Sequence, residues 1–517
     1  MNTRSGEPDT TIAEPSQEPP PRTGFSVRAR TAENVAILLA IQWMIRGFAI
    51  ATKIILARVL FPQDFGIFAL ATGLIGFASA LGNFGLDFAV IQRGDSVREE
   101  DYDVAMSLRV VVSLALLAAT VALALPWSIL FGNPAITGAT QGLAIVYLVS
   151  PWGFVPTTKL MARLEYRRLV VPNLLGQVAN SGLAIALAAL GFGFWALVAG
   201  TVASQIAWVL SVSVSQPWRF RFRLNRVVAK SLLAYSRHLV LASVLAFLMT
   251  NVDNFTVGYL LGSSMVGYYA VAYSFSLLSS VVSGSAASAL FPSLSKIQLD
   301  FERVRRGYIE SFGYAAATIA PIAIGLAVMA PEIVRVLLGP TWAPSIVPLF
   351  ILSLYGCAKA LVEFSSPLFA SLGRPSAISR LNAMILAGSI VLLYPLTRAF
   401  GITGTAFAMS IPVFAATAIS IWWASRLLDV RPRDLAVRLR GPLLAAEAAG
   451  VVAFFSKWFL SPWLGPPGGG FVQDLIVFLA ATIIGSLAYI VSLKVVDPNV
   501  YSGLFRQLRL IIPIGSP

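Results

Sequence analysis

The stretch LFPQDFGIFALA at residues 60–71 has a counterpart, LGSSMVGYYAVA, at residues 261–272. At one constant offset the two stretches share Leu60, Gly66, Ala69 and Ala71 with Leu261, Gly267, Ala270 and Ala272, and aromatic Phe68 is matched by Tyr269. A second echo pairs Phe192-Gly193 with Phe400-Gly401. Because self-similarity along a chain indicates repeated structural units, the sequence predicts two related halves.

The two halves consist mainly of long apolar stretches. Of the 517 residues 57% are hydrophobic and 12% are charged, and the mean hydropathy is +0.77. About fourteen stretches reach the ~20 residues that an apolar helix needs to cross a bilayer. They lie near 34–60, 65–91, 104–131, 136–160, 168–191, 193–215, 231–262, 266–293, 309–330, 343–370, 376–398, 402–425, 441–461 and 471–493. A chain exposed to lipid must satisfy its own backbone hydrogen bonds, so the predicted fold class is an all-α integral membrane protein.

The repeat divides the predicted spans into two sets of six. An even number of crossings makes both copies enter the membrane in the same direction, which is typical of parallel-repeat transporters. We therefore predict two pseudo-symmetric six-helix lobes around a central cavity, followed by two extra C-terminal helices. The predicted domains are a disordered cytoplasmic tail (1–33), an N-lobe (34–217), a C-lobe (218–430), and a C-terminal helical pair with a cytoplasmic tail (431–517).

The connectors between the spans alternate between arginine-rich and nearly bare of basic residues. Most of the 38 lysines and arginines lie in alternate connectors, whereas others, such as Pro62-Gln63-Asp64 and Gly132-Asn133-Pro134, carry almost none. By the positive-inside rule both termini face the cytoplasm. The net charge of +14 then reflects one membrane face that meets anionic lipid, and no nucleic-acid partner is predicted.

Several classes of site are excluded by composition. A single Cys357 and a single His238 provide neither a disulfide framework nor a Cys/His metal cluster. The bare connectors are short and nearly free of acids, bases and nucleophiles, which argues against a membrane enzyme such as a polymerase or ligase. No nucleotide-binding loop of the GxxxxGK[ST] type occurs, and no cofactor is predicted.

Charged residues inside the first span are candidates for a substrate site, because a charge there is costly to insert. Gln42, Arg46 and Lys53 stand at i, i+4 and i+11, which places them within roughly 40 degrees on one face of a helix. Such a cationic stripe suits an anionic head group that crosses the midplane. The alternatives are that Arg46 pairs with a carboxylate, or that Lys53 extends to the membrane surface.

Further intramembrane polar residues are candidates for substrate binding, ion coupling or gating. In the seventh span Asn254 is a candidate for substrate contact, and Asp253 for pairing with the first-span cations or for carrying a coupling ion, with Arg237 nearer the cytoplasm. In the tenth span Lys359 and Glu363 are spaced i, i+4 and can neutralise each other. Asp87 and Arg109 lie toward the cytoplasmic side, where they gate the cavity or reach water.

Several motifs, taken with the two-lobe arrangement, make the chain similar to the Wzx-type polysaccharide flippases of the multidrug/oligosaccharidyl-lipid/polysaccharide (MOP) exporter superfamily. They are LFPQDFGIFA (60–69), Asn83-Phe-Gly85, FPSLSKIQ (291–298), Gly339-Pro-Thr-Trp342 and Leu372-Gly-Arg-Pro375.

The resemblance implies export of undecaprenyl-diphosphate-linked oligosaccharide across the bacterial inner membrane by alternating access, for exopolysaccharide, O-antigen or capsule synthesis. Polysaccharide polymerase and chain-length proteins are possible partners. The alternative is an ion-coupled antiporter for drugs or small molecules on the same fold.

The cationic stripe gives a first testable expectation. Replacing Arg46 and Lys53 by Ala, singly and together, is expected to reduce export of the polymer because the diphosphate loses its counter-charges. Export is measured at equal membrane abundance of each variant. Undiminished export by the double variant would end this assignment.

Overall fold

The computed structural model describes residues 44–82, 86–92, 98–223, 225–464 and 470–511, and in these residues the chain is helical with no β-strand. The α-helices of the first half are α1 (44–59), α2 (Pro62–Gly82), α3 (Leu86–Gln92), α4 (Glu99–Leu130), α5 (Ala135–Ala144), α6 (Val146–Val149), α7 (Phe154–Ala162), α8 (Val170–Ala189) and α9 (Phe194–Ser215). Those of the second half are α10 (Arg226–Leu261), α11 (Ser263–Ser276), α12 (Leu278–Lys296), α13 (Phe301–Val328), α14 (Ala330–Glu332), α15 (Ile346–Ser371), α16 (Pro375–Leu427), α17 (Pro432–Leu464), α18 (Phe471–Val496) and α19 (Pro498–Ile511). The predicted tail (1–33), Gln42 and Asn83-Phe-Gly85 lie outside the described residues, as does the side chain of Arg237.

The prediction of an all-α membrane protein is confirmed. Ten helical segments of the described chain are long and apolar enough to cross a membrane. One of them, α16, has 53 residues, which at 1.5 Å per residue is far longer than the ~30 Å of a bilayer core. Its backbone breaks at Gly401, with φ 60° and ψ −144°, so it supplies two of the predicted spans. The total of fourteen spans stays a prediction.

The bare connectors meet at one end of the molecule, which we call the bare face. There Asp64 Oδ1 accepts a hydrogen bond from the backbone N–H of Phe194 at 3.0 Å, and Asn133 Nδ2 donates to Ser263 Oγ at 2.9 Å. Connectors rich in arginine meet at the other end, the basic face. Lys159 there forms an ion pair with Glu99 at 2.7 Å.

The two copies of the repeated motif pack directly against each other at the bare face. A Cβ atom on Gly66 in α2 would overlap the carbonyl oxygen of Ser263, and one on Gly267 in α11 would overlap that of Pro62. Pro62 and Ser263 are themselves equivalent positions of the repeat. The contact is therefore reciprocal, as at a two-fold interface, and the pseudo-symmetry axis passes between the two glycines.

The second echo also has a structural counterpart. Gly193 has φ 55° and ψ −136°, and Gly401 has φ 60° and ψ −144°. L-residues with a side chain rarely adopt this backbone conformation, whereas glycine does so at little cost. The same backbone conformation therefore precedes α9 in the first half and the second part of α16 in the second half.

The Gly-Pro-Thr-Trp motif strengthens the junction between the halves. Trp342 is fully buried, and its indole Nε1 donates to the carbonyl oxygen of Ala57 in α1 at 2.9 Å. Its ring packs edge-on against Phe65 at 5.2 Å. Arg58 of α1 donates to backbone carbonyls at the end of the π-helical turn Ile333–Leu338, including that of Leu337 at 3.0 Å. Both contacts attach α1 to the second half at the bare face.

The C-terminal helices pack on the outside of the second half. Helix α17 lies against α13 and α18, and the amphipathic α19 contacts α13 and α18 near the basic face. Their position is consistent with the prediction that this pair follows the two repeats. The domain boundaries at 217 and 430 stay predictions.

The glycine contact gives a second testable expectation. Replacing Gly66 by Ala is expected to force the lobes apart at the bare face, because the new methyl group would overlap backbone. Spin labels at the exposed positions Phe192 and Phe400, in a Cys357→Ala background, report the inter-lobe distance.

The matched control for this experiment is Gly182→Ala, since a Cβ atom at Gly182 meets nothing within 4 Å. A longer distance is expected for Gly66→Ala and not for the control. An unchanged distance in a Gly66→Ala/Gly267→Ala double variant would contradict the proposed role of the junction.

Candidate functional site

A polar cavity of about 710 Å³ lies within the first half of the molecule. Helices α1, α3, α4, α7, α8 and α9 contribute to its wall, together with the turn Ser150–Gly153. Its charged lining residues are Arg46, Asp87 and Arg109. Its amide side chains are Asn173, Gln177 and Gln205, and its hydroxyl-bearing residues are Ser150, Thr157, Thr158 and Ser204.

The two arginines give this cavity a net positive charge. The Nε atom of Arg109 is buried and has no hydrogen-bond partner among the described residues. Asp87 is close enough to Arg109 for an electrostatic interaction, but it balances only one of the two cations. A guanidinium group presents a planar fork of donors that matches phosphate oxygens. The cavity is thus chemically suited to an anion with several acceptor oxygens.

The cavity lies in the half of the molecule that is nearer the basic face. Arg109 is ten residues from the start of α4, about 15 Å from the basic connector at 1.5 Å per residue. Asn173 follows the start of α8, and Thr157 precedes the end of α7. On the opposite side the lobes are held together by the Gly66–Gly267 junction. The two lobes are therefore in contact at the bare face, on the side away from the cavity.

The structure separates the predicted cationic stripe of α1. Arg46 is exposed and lines the cavity, whereas Lys53 is half-buried about 10 Å further along the helix toward the bare face and is not part of this lining. Asp87 and Arg109, predicted as gating or water-exposed groups, lie in the same cavity as Arg46. Neighbouring Thr52 attaches α1 to α8, since its hydroxyl is 2.6 Å from that of Ser181.

A buried polar cluster occupies the second half. Asp253 of α10 is fully buried, and its Oδ2 accepts a hydrogen bond from the hydroxyl of Tyr269 in α11 at 2.9 Å. Its Oδ1 accepts from the backbone N–H of Asn254 at 2.9 Å. In the described residues the partner of Asp253 is thus a tyrosine of its own lobe and not a cation of α1. The Oδ1 atom of Asn254 is buried without a partner in this part of the chain.

The cluster extends across three helices. The hydroxyl groups of Tyr273 and Tyr355 are 3.3 Å apart, and Lys359 Nζ lies 5.8 Å from the ring centre of Tyr355. Lys359 Nζ is 4.0 Å from Glu363 Oε1, which is the spacing of a loose ion pair. Lys359 also interacts electrostatically with Asp253. The structure therefore brings Asp253 and the predicted Lys359–Glu363 pair into one cluster, which we call the Asp-Tyr-Lys cluster.

Sequence reasoning missed the tyrosines of this cluster and the amide residues of the cavity. A signal for Tyr269 was present, because its counterpart in the repeat is Phe68, which lacks the hydroxyl. The cavity amides gave no comparable signal. Polar residues are common in helices, and the direction each one faces depends on how the helices pack.

Comparisons with proteins of known structure give the class to which this arrangement belongs. The lipid II flippase MurJ in an inward closed conformation superposes with a TM-score of 0.72 at 14% identity, covering 91% of this chain and 99% of that chain. An inward-facing multidrug resistance MATE family transporter of the MOP superfamily superposes with a TM-score of 0.58 at 16% identity, covering 74% and 94%. The chain has the fold of these membrane transporters.

Sequence comparisons narrow the class to a family. The chain belongs to the polysaccharide biosynthesis protein family, which matches residues 55–347, more than half of its length. It is 24% identical to the succinoglycan biosynthesis transport protein ExoT of Rhizobium meliloti, over 91% of this chain and 94% of that protein. It is 21% identical to the lipopolysaccharide biosynthesis protein WzxC of Escherichia coli, over 65% and 69%. The predicted resemblance to membrane proteins of polysaccharide biosynthesis is confirmed.

The Asp-Tyr-Lys cluster gives a third testable expectation. Tyr269→Phe removes a hydrogen bond to a buried carboxylate and is expected to lower the free energy of unfolding by about 1–3 kcal/mol. Thermal unfolding in detergent micelles measures the effect. Tyr259→Phe is the matched control, because Tyr259 is 62% exposed on the same lobe. Equal stability of the two variants would show that the Tyr269 hydroxyl does not support Asp253.

Proposed function

We propose that the chain is a flippase that moves undecaprenyl-diphosphate-linked oligosaccharides across the bacterial inner membrane by alternating access. The observation that carries this proposal is the polar, net cationic cavity near the basic face, on the side of the molecule away from the junction of the two repeats. The names of the relatives support the same substrate class, since ExoT and WzxC are named for polysaccharide biosynthesis and MurJ for flipping lipid II.

Arg46 and Arg109 hold the diphosphate in this proposal. A diphosphate taken out of water loses a large solvation energy, which only close opposite charges and hydrogen bonds can offset. Arg109 has an unpaired buried Nε atom and Arg46 has an exposed guanidinium group, so both have donors to offer. The polyprenyl chain is apolar and remains in the surrounding lipid.

The proposed direction of transport follows from which face of the protein is cytoplasmic. By the positive-inside rule the basic face is cytoplasmic, with both termini on that side. The substrate then enters the cavity from the cytoplasmic leaflet. Release on the other side requires the Gly66–Gly267 contact to separate. Lys53, on the same face of α1 and nearer the bare face, is the next cation that the diphosphate meets, and Gln42 and Asn254 complete the predicted substrate contacts.

The Asp-Tyr-Lys cluster is our candidate for the element that responds to a coupling ion. It joins α10, α11 and α15 through ionisable side chains that are largely withdrawn from solvent, and a charge in such a place is expensive unless it is paired. A change in the protonation or ion occupancy of Asp253 would alter its bond to Tyr269 and thereby the packing of α11. Because α11 forms half of the bare-face junction, such a change reaches the contact that must open. Asp87 and Arg237 are retained as candidates for gating near the basic face.

The chain acts as a transporter in this proposal, and not as a polymerase or ligase. A polysaccharide polymerase and chain-length proteins are the partners expected next to it in the same membrane. The second candidate function is ion-coupled export of drugs or small molecules, which the fold similarity to the MATE family transporter favours. Loss of polymer without loss of drug resistance in a deletion strain distinguishes the first from the second.

The cavity charges give a fourth testable expectation. Arg109→Gln is expected to weaken binding of undecaprenyl diphosphate about 10- to 100-fold, the effect of losing a charged hydrogen-bond donor. Asp87→Asn removes the anion beside Arg109 and is expected to maintain or tighten binding. Binding is measured with radiolabelled lipid on the purified full chain in nanodiscs.

The matched control is Arg398→Gln, because Arg398 is exposed near the bare face and bonds to Tyr394 outside the cavity. Equal binding by the Arg109→Gln and Arg398→Gln variants would remove Arg109 from the site. Weaker binding by Asp87→Asn would mean that the carboxylate, and not the arginines, recognises the ligand.

A further inference from the structure

One wall of the cavity is an aromatic surface formed by Trp208 of α9. Its indole Nε1 donates to Asn173 Oδ1 of α8 at 3.0 Å. A Cβ atom on Gly153 would lie 2.5 Å from Trp208 Cζ3, so the missing side chain at Gly153 makes room for the six-membered ring. The ring is therefore held from two sides, by a hydrogen bond at one edge and by backbone contact at the other.

Trp208 is not explained by core packing. It is half-buried and belongs to none of the hydrophobic clusters found among the described residues. Instead it lines the cavity together with polar side chains of α7, α8 and α9. A rigid aromatic surface at the edge of a polar cavity is typical of a ligand contact, since aromatic rings offer large contact area at low conformational-entropy cost.

The residues of α7, α8 and α9 that line the cavity with Trp208 are uncharged and offer both donors and acceptors. Gln177 and Gln205 carry amide groups, and the Oγ1 atom of Thr157 is buried without a partner in the described part of the chain. Gln177 Nε2 donates to Ser181 Oγ at 3.2 Å, and Ser181 is bonded to Thr52 of α1, the helix that carries Arg46. These hydrogen bonds thus join α8, which carries Gln177, to α1, which carries Arg46.

A sugar ring has the complementary chemistry. Its hydroxyl groups both donate and accept hydrogen bonds, which amide and hydroxyl side chains match without a net charge. One face of a pyranose presents C–H groups, whose slightly positive hydrogens suit the negative face of an aromatic ring. The cavity volume of about 710 Å³ is within the range of sites that enclose small ligands, so it has room for more than a diphosphate.

From these observations we infer that the α8–α9 wall is a saccharide-binding subsite, in which a pyranose ring of the substrate stacks on Trp208. Asn173, Gln177, Gln205 and Thr157 form hydrogen bonds with its hydroxyl groups. Asn173 also positions the indole. The inference rests on the proposed function, because it assigns the sugar to one wall of the cavity whose arginines hold the diphosphate.

The test compares two kinds of lipid on the purified full chain in nanodiscs. The probes are undecaprenyl diphosphate without sugar and undecaprenyl diphosphate carrying a single glucose or a single galactose. The wild-type chain is expected to bind at least one sugar-bearing lipid more tightly than the bare diphosphate. Trp208→Leu is expected to remove about a three- to tenfold gain in affinity that the sugar provides, and to leave binding of the bare diphosphate unchanged.

Trp195→Leu is the matched control, because Trp195 lies on the same helix near the bare face and outside the cavity lining. Trp208→Phe is expected to retain part of the gain because it keeps an aromatic face. Gln205→Ala is a second test that leaves the indole in place, and it is expected to reduce the gain without changing the unfolding temperature. If Trp208→Leu fails to fold, the Trp208→Phe and Gln205→Ala variants test the inference in its place.

The outcomes separate the inference from the function on which it rests. Equal wild-type affinity for bare and sugar-bearing lipids overturns the subsite and leaves the flippase proposal standing. Equal weakening of both lipids by Trp208→Leu also overturns the subsite, since the residue then acts on the cavity as a whole. Failure of the wild-type chain to bind any of these lipids overturns both proposals.

Discussion

The contact between Gly66 and Gly267 is the constraint on which the rest of the arrangement depends. Neither residue has a Cβ atom, so α2 and α11 approach until backbone meets backbone across the pseudo-symmetry axis. Trp342 and Arg58 then attach α1 to the second half at the same end of the molecule. The lobes are thus held together at the bare face, and the polar cavity of the first half lies on the side nearer the basic face. In the proposed transport cycle this junction has to separate, and its glycines keep side chains out of the contact between α2 and α11.

The two halves share a backbone plan but differ in their polar interiors. The first half has an open cavity with two arginines and a set of amides, whereas the second half fills the space between α10, α11 and α15 with the Asp-Tyr-Lys cluster. The exchange of Phe68 for Tyr269 at equivalent positions illustrates how one hydroxyl group creates a site for a buried carboxylate. In the proposed function, the first lobe binds the substrate and the second responds to the driving force. Helix α11 takes part in both the cluster and the junction. A local change at Asp253 therefore acts on a helix that forms the contact between the two repeats.

The sequence predicted much of the helical fold and only part of the site. Most of the apolar ranges coincide with long helices of the described chain, because burial in lipid imposes length and hydropathy on each crossing. The ranges 136–160 and 266–293 are instead divided among shorter helices. Arg46 was identified as a cation that the topology does not need, and it lines the cavity. Arg109 was predicted only as a gating or water-exposed group, because sequence indicates the depth of a residue along its helix and not the neighbours it faces. Lys53 shares a helix face with Arg46, but depth separates the two, so a common face did not mean a common cavity. Trp208 and the amides of α8 and α9 were missed because nothing in their spacing distinguishes a cavity wall from a lipid-facing one.

The sequence by itself therefore determined the class of the protein: a helical membrane protein, two repeats, and basic connectors on one face. These features depend on local composition and periodicity, which act within a single helix or connector. The tertiary structure alone decided which polar side chains share a cavity, which carboxylate pairs with a tyrosine, and where the two repeats meet. These features depend on how each helix is rotated about its axis and how closely it approaches its neighbours. Contacts between residues far apart in the chain set both quantities, as Gly66 and Gly267 do for α2 and α11.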